Sequence, residues 1–410
     1  MWNLFAMERP TMSLQYRTTV FRDVRPMGGA PVDLVVVDGR IAQTPVGEAH
    51  VVDCGGRIAL PALVDAHIHP DKTTWGEPWV ARRPAQGIAD LAEQDADLFR
   101  SLPSPVEERA GRLMAHAVAQ GTRAMRAHAD VAPAFGLAGV AALGEVRARL
   151  AHALDVQIVA FPQHGVRRAP GTGALLDEAA RTGAVDLVGG IDPGTFDDDP
   201  RGQLDLVFGI ADLHGVGVDI HLHDRGEPGL TAIRGIIERT RALDMGGRVT
   251  VSHAFRVPED TGETLRRLAD DLADAGVGLT TVASGPQSVL PTDVLLERGV
   301  RIGLGSDGVR DSWSPFGNAD MLHRAHLLAR CRRARLDEEL SAAYLTAAHA
   351  GADLLGLPRA DFTRGAPADF LLVEGECLPQ IVVDVPDRRA VVRAGHVVAR
   401  DGAMVAGHDS

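Results

Sequence analysis

The sequence predicts an α/β fold, a (β/α)8 TIM barrel with a small β-sandwich domain built from the N- and C-terminal segments. Three observations predict it. Eight short β-branched runs recur through the middle of the chain, with helical stretches between them. The residues that close these runs are repeatedly His or Asp. Both ends of the chain share a texture of short strands broken by Gly and Pro turns.

The eight runs are ALVDAHIH (62–69), RAMRAHADV (123–131), VQIVAFP (156–162), VDLVGGID (185–192), GVDIHLH (217–223), RVTVSHA (248–254), VGLTTVA (277–283) and VRIGLGSD (300–307). From the second onward they follow at the spacing of one strand plus one helix, with LLDEAARTG, GLTAIRGIIERTRAL and TLRRLADDLADAG as the helical texture between. The wider gap at 70–122 is expected to hold an insertion over the active-site face as well as the first helix. Residues 13–60 plus 361–410 form the expected sandwich, 61–360 the barrel, and 1–12 a disordered extension in which Met7 or Met12 is an alternative start.

The chain has 410 residues, 45% hydrophobic and 24% charged, with a formal charge of −13. That acidity argues against nucleic acid as a partner, because phosphate binding needs a basic face. No apolar run reaches the ~18 residues of a membrane span, and the N-terminus does not read as a secretory signal. Cys54, Cys331 and Cys377 are far apart and form no C-x-x-C. This points to a reducing, cytoplasmic location and excludes the deaminases whose zinc sits on such a pair. The expected partner is a small-molecule substrate, with no nucleic acid, no membrane, and a homo-oligomer as a possible assembly.

In a barrel of this kind the chemistry lies at the C-terminal strand ends. There the sequence places His67 and His69, His128 and Asp130, Gln163 and His164, Asp192, His221 and His223, His253, and Asp307. Strand alternation puts His67 and His69 on one face. His221, His253 and Asp307 join them at the ends of the fifth, sixth and eighth strands, and three imidazoles with one carboxylate suit a divalent ion with room for a water. Gly303-x-Gly305-x-x-Gly308 fits a dinucleotide fingerprint, but Asp307 within it and Pro315 soon after leave neither a helix nor a neutral cradle for pyrophosphate.

These residues resemble the amidohydrolase superfamily, and its cytosine deaminase-like branch in particular. The likeness is carried by AHIHPDKT (66–73), RAHADV (126–131), IVAFPQHG (158–165), VDIHLHD (218–224), GGRVTVSHA (246–254) and SDGVRDSWSPFGNADML (306–322). The resemblance implies that His67, His69, His221 and Asp307 ligate the metal and that His253 orients the attacked oxygen or the water. It also implies that Gln163 reads a carbonyl and ring nitrogen, and that Trp313 walls the pocket. Asp224 stands where those deaminases carry the glutamate that shuttles the proton, one methylene shorter. Gly308 stands where they carry a second aspartate.

Binuclear members of the superfamily bridge their ions with a carboxylated lysine on the fourth strand. Of the 42 basic residues here one is lysine, Lys72, in the loop after the first strand. One divalent ion per chain, Zn or Fe(II), is therefore expected. A lone lysine among arginines suggests a site that needs an ammonium, either to orient a substrate carbonyl or to hold a loop acid such as Asp71; the alternative is an ordinary surface lysine. The expected function is hydrolytic deamination of a small nitrogen heterocycle by a metal-activated water, with Asp307, His253 and Asp224 as catalytic groups and Gln163, Trp313, Lys72 and His253 on the substrate. The alternatives are cleavage of a C–N bond in a cyclic amide, urea or N-alkylamino heterocycle, or a barrel without catalysis.

Overall fold

The computed structural model describes residues 17–405, so the expected extension at 1–12 lies outside the described residues. Eight parallel strands lie in sequential order: β1 (Leu63–Ile68), β2 (Thr122–Asp130), β3 (Asp155–Phe161), β4 (Leu187–Ile191), β5 (Gly217–His221), β6 (Val249–Ser252), β7 (Val277–Thr281) and β8 (Ile302–Leu304). The seam between β8 and β1 is drawn together just past β8, where the Asp307 amide donates to the His67 carbonyl at 2.8 Å. Two glycines make this seam possible. A Cβ on Gly303 would collide with that of Ala66, and one on Gly305 would lie 2.6 Å from the Cβ and carbonyl oxygen of His67. The Gly-rich stretch thus admits β1 rather than cradling a phosphate.

The strands are buried on both faces, as parallel strands are. Val64, Ala66, Val218, Ile220, Val249 and Val251 pack outward against the helical layer. The intervening residues face the barrel axis and are largely polar. Arg126 donates to Asp219 at 2.9 Å and to the Thr250 hydroxyl at 2.8 Å, and Asp219 accepts from Ser252 at 2.5 Å. Buried charges are tolerated only when paired and hydrogen-bonded, and each of these is.

The ends of the chain meet in one nine-stranded sheet. Phe21, Val24, Leu34, Ile41, Phe370, Leu372 and Val392 share a single cluster within it. The expected sandwich is thus a continuous strand path that wraps one core. The 70–122 insertion contains helix α1 (Ile88–Ser101) and helix α2 (Val106–Ala119). Buried Arg109 of α2 donates to the carbonyls of Asp71 and Thr73, at 3.1 Å each, and so pins the loop that follows β1.

Candidate active site

The period-two alternation of β1 and β5 carries His67, His69, His221 and His223 to the axis at the C-terminal mouth. His253 and Asp307 follow β6 and β8 with φ of 67° and 61°. Left-handed backbone is uncommon for residues with a Cβ and is concentrated at functional sites. The four expected ligands converge. His69 Nε2 lies 3.3 Å from His67 Nε2 and 3.2 Å from His221 Nε2. Asp307 Oδ1 lies 3.6 and 3.5 Å from His67 Nε2 and His69 Nε2. A tetrahedron with arms of about 2.05 Å has edges of roughly 3.3–3.4 Å, so this spacing is that of a metal-binding donor set. Burial holds His69 and His221 well below the ordinary imidazole range, so they present lone pairs to one another. Facing lone pairs repel unless a cation lies between them, and the residues therefore fit a divalent ion. His67 is oriented from behind by Ser252, whose hydroxyl is 3.0 Å from Nδ1 and is itself held by Asp219.

His128 is also buried against this cluster and could offer a nitrogen with His67 and His221. Its ring centroid is 4.2 Å from that of His67, and burial keeps it neutral.

The ligands open onto a cavity of about 950 Å³. One wall carries Lys72, Phe161, Gln163, Asp311 and Trp313. Lys72 does not reach Asp71 by its ammonium. It donates to Asp130 at 2.9 and 3.0 Å and to Gln163 Oε1, and lies 3.4 Å from Asp95. Burial alone would discharge it, but the carboxylates of Asp130, Asp95 and Asp71 raise its pKa instead. Gln163 Nε2 donates to Asp95 at 2.7 Å, as does Trp313 Nε1 at 2.8 Å.

The structure does not bring Asp224 to this cavity. Both its oxygens face the 194–195 turn, where they accept from the amide and hydroxyl of Thr195. The reason is alternation continued past β5, which turns 223 inward with 221 and leaves 224 on the other side. His223 lines the cavity, and its Nδ1 lies 2.8 Å from buried Asp192. Burial lowers the pKa of His223, but the hydrogen bond and charge of Asp192 outweigh it and leave a net rise. His164 is outside the cavity, beside Phe135. Arg225 and Arg256 lie against Glu259, and Arg310 sits between Trp75 and Trp79, so none of the three lines the cavity.

Two residues escaped the reading of the sequence. Asp95 is one. Asp311 is the other: its carboxyl fills the volume that a side chain at position 308 would need, so Gly308 makes room for an acid three residues away in sequence. Burial, then the charge of Asp95, pushes Asp311 up to about 7.

The amidohydrolase family model matches residues 50–400. The chain belongs to the amidohydrolase family. It is a hydrolase acting on carbon–nitrogen bonds. The chain is 30% identical over 381 residues to the N-isopropylammelide isopropyl amidohydrolase of Pseudomonas sp. strain ADP, covering 91% of this chain and 93% of that one. The crystal structure of N-isopropylammelide isopropylaminohydrolase from Burkholderia multivorans is similar at 36% identity and a TM-score of 0.89, over 95% of this chain and 100% of that one. Klebsiella pneumoniae 5-methylcytosine deaminase shares the fold at 24% identity and a TM-score of 0.78, over 95% and 99% of the two chains. Among the described residues, no helix is long and apolar enough to cross a membrane.

Proposed function

We propose that this amidohydrolase cleaves the exocyclic C–N bond of a small oxo-substituted nitrogen heterocycle, and that the leaving group is an alkylamine rather than ammonia. The observation that carries the choice of leaving group is the volume of the cavity, about 950 Å³. Its lining includes the His and Asp cluster and Trp313, and also Leu327, Arg330 and Cys331. Its volume is at the upper end of the range of about 300–1,000 Å³ for small-molecule sites. An ammonia leaving group needs no such volume, and the two relatives named for N-isopropylammelide support the same reading.

One divalent ion, Zn or Fe(II), held by His67, His69, His221 and Asp307 would supply a water ionised at neutral pH. Asp307 Oδ2 accepts the proton that the attacking water gives up. His253, beside His67 and His221, faces the ring carbon's developing oxygen. Its Nδ1 has no partner, which leaves the ring free to turn a donor toward that oxygen. The leaving nitrogen must be protonated before it departs. With Asp192 accepting from Nδ1, a proton on Nε2 makes His223 the imidazolium, which the hydrogen bond and charge of Asp192 favour. Gln163 keeps one N–H for a ring carbonyl, since its other polar contacts go to Lys72 and Asp95. Asp311 faces a ring N–H.

The test is turnover by metal-analysed protein reconstituted with Zn or Fe(II), using N-isopropylammelide, N-ethylammelide, ammelide, cytosine and 5-methylcytosine. Release of isopropylamine or ethylamine is expected. Ammonia release from cytosine or ammelide, with the alkylamines untouched, would overturn the leaving-group assignment in favour of deamination.

A further inference from the structure

We propose that Asp95, delivered by the insertion helix α1, is a positioning residue that assembles the substrate-reading wall of the cavity. The proposal rests on the reading of the cavity as the substrate site. Asp95 is 4% exposed and does not itself line the cavity. Its Oδ2 accepts from Gln163 Nε2 at 2.7 Å and Trp313 Nε1 at 2.8 Å, and lies 3.4 Å from Lys72 Nζ. Its Oδ1 accepts from the Ser312 hydroxyl. Those partners come from the loops after β1, β3 and β8, so one carboxylate ties three loops together. Lys72, Gln163 and Trp313 all line the cavity.

Each tie removes a freedom. An indole N–H is a donor only, and Asp95 is the acceptor that sets the plane of Trp313. An amide can present either end, and Asp95 together with Lys72 fixes which end of Gln163 points where. Neutralising Lys72 does not require Asp95, because Asp130 already contacts the ammonium twice. The extra carboxylate is therefore explained by the wall it builds. Helix α1 is held in place by apolar contacts of its own, with Ile88 and Ala89 packed on the Phe161–Ile191–Phe196 cluster and Phe99 stacked on Phe135 at 5.3 Å. Asp95 couples that helix to the site.

The experiment compares Asp95→Ala with Asp95→Asn, which keeps an acceptor for the indole. Trp2→Phe, Trp75→Phe and Trp79→Phe leave Trp313 as the remaining fluorophore. Acrylamide quenching of Trp313 then reports the wall without any turnover. Asp95→Ala is expected to raise the quenching constant at least about twofold, and to raise KM for N-isopropylammelide about tenfold or more with kcat within about threefold. Asp95→Asn is expected to recover most of both. In a Gln163→Ala background the KM effect of Asp95→Ala should shrink, because residues that share a network do not add. Unchanged quenching and KM in Asp95→Ala would overturn the proposal. So would equal losses in Ala and Asn accompanied by a falling Tm, the outcome of a purely structural role. If the parent turns over none of the substrates, the functional reading fails while quenching still decides the role of Asp95.

Discussion

Gly305→Ala tests whether the β8–β1 seam sets the metal site. The added Cβ would lie 2.6 Å from the Cβ and carbonyl oxygen of His67 and 2.9 Å from its nitrogen, where ordinary contact begins at 3.4 Å. Relief needs a displacement of about 0.8 Å, and metal ligands tolerate roughly 0.2 Å. The atoms in the way are main chain and Cβ, so no rotamer change can absorb the strain. The carbonyl involved also accepts the Asp307 amide at 2.8 Å, so His67 and Asp307 move together. Overpacking a well-filled site costs about 1–3 kcal/mol. For a chain of this length 3 kcal/mol lowers Tm by roughly 3–4 °C if unfolding is two-state. Metal content after dialysis against a chelator, with a parallel thermal melt, reads both effects. Gly209→Ala is the control. It lies in the helix Pro200–His214 with no atom within 4 Å of the added Cβ, and is expected to gain about 0.5–1 kcal/mol. A Gly305→Ala protein that keeps the parent's metal and melts within about 1 °C of it would refute the reasoning.

Ser252→Ala removes the hydroxyl that orients His67 Nδ1 and should weaken metal binding about 10–100-fold in a competition titration, with little change in the fold. Asp192→Asn removes the charge that favours the His223 imidazolium; kcat should fall at least about tenfold while metal content stays constant. Asp311 yields a dependence on pH. Its folded pKa of about 7 is above the unfolded value near 3.9, so the folded state binds the extra proton between them. Stability should therefore fall as pH rises from about 4 to 7 and level off above that, with a ceiling of roughly 4 kcal/mol at 1.36 kcal/mol per unit. Asp311→Asn should flatten that slope, so urea denaturation at pH 5 and pH 8 should show the variant gaining on the parent only at the higher pH.

How much of this was legible in the sequence follows from the range of the rule that each residue obeys. Strand alternation is local, and it placed His67, His69 and His221 on one axis-facing surface. Carried two residues further it also predicts His223 inward and Asp224 outward, so the misplaced weight on Asp224 came from family position rather than from the pleat. That Lys72 is not an ordinary surface lysine was legible from its solitude among arginines, though its partners Asp130 and Asp95 were not. Asp95 lies on an insertion helix whose packing on β3 and β4 residues is a long-range contact that no periodicity encodes. Asp311 folds back over Gly308 within a loop, and a glycine after a ligand does not by itself say which side chain fills the space. The nine-stranded sheet was read correctly as a joining of both termini, but its continuous strand path depends on register between segments more than 300 residues apart.

The site is thus built in two ways at once. The proposed ion-binding half rests on strand ends whose backbone is hydrogen-bonded to its neighbours, with His67 backed by the Ser252–Asp219–Arg126 chain. Any change there must be accommodated by the barrel itself, as the clash at Gly305 illustrates. The reading half rests on loops and an inserted helix joined by side-chain hydrogen bonds, where Asp95 and Asp311 can be exchanged without moving a strand. On the proposed function, activation of water and recognition of the ring are then separable. That separation accounts for why the four expected ligands converge at strand ends while the departures, at Asp224 and Gly308, both lie on loops.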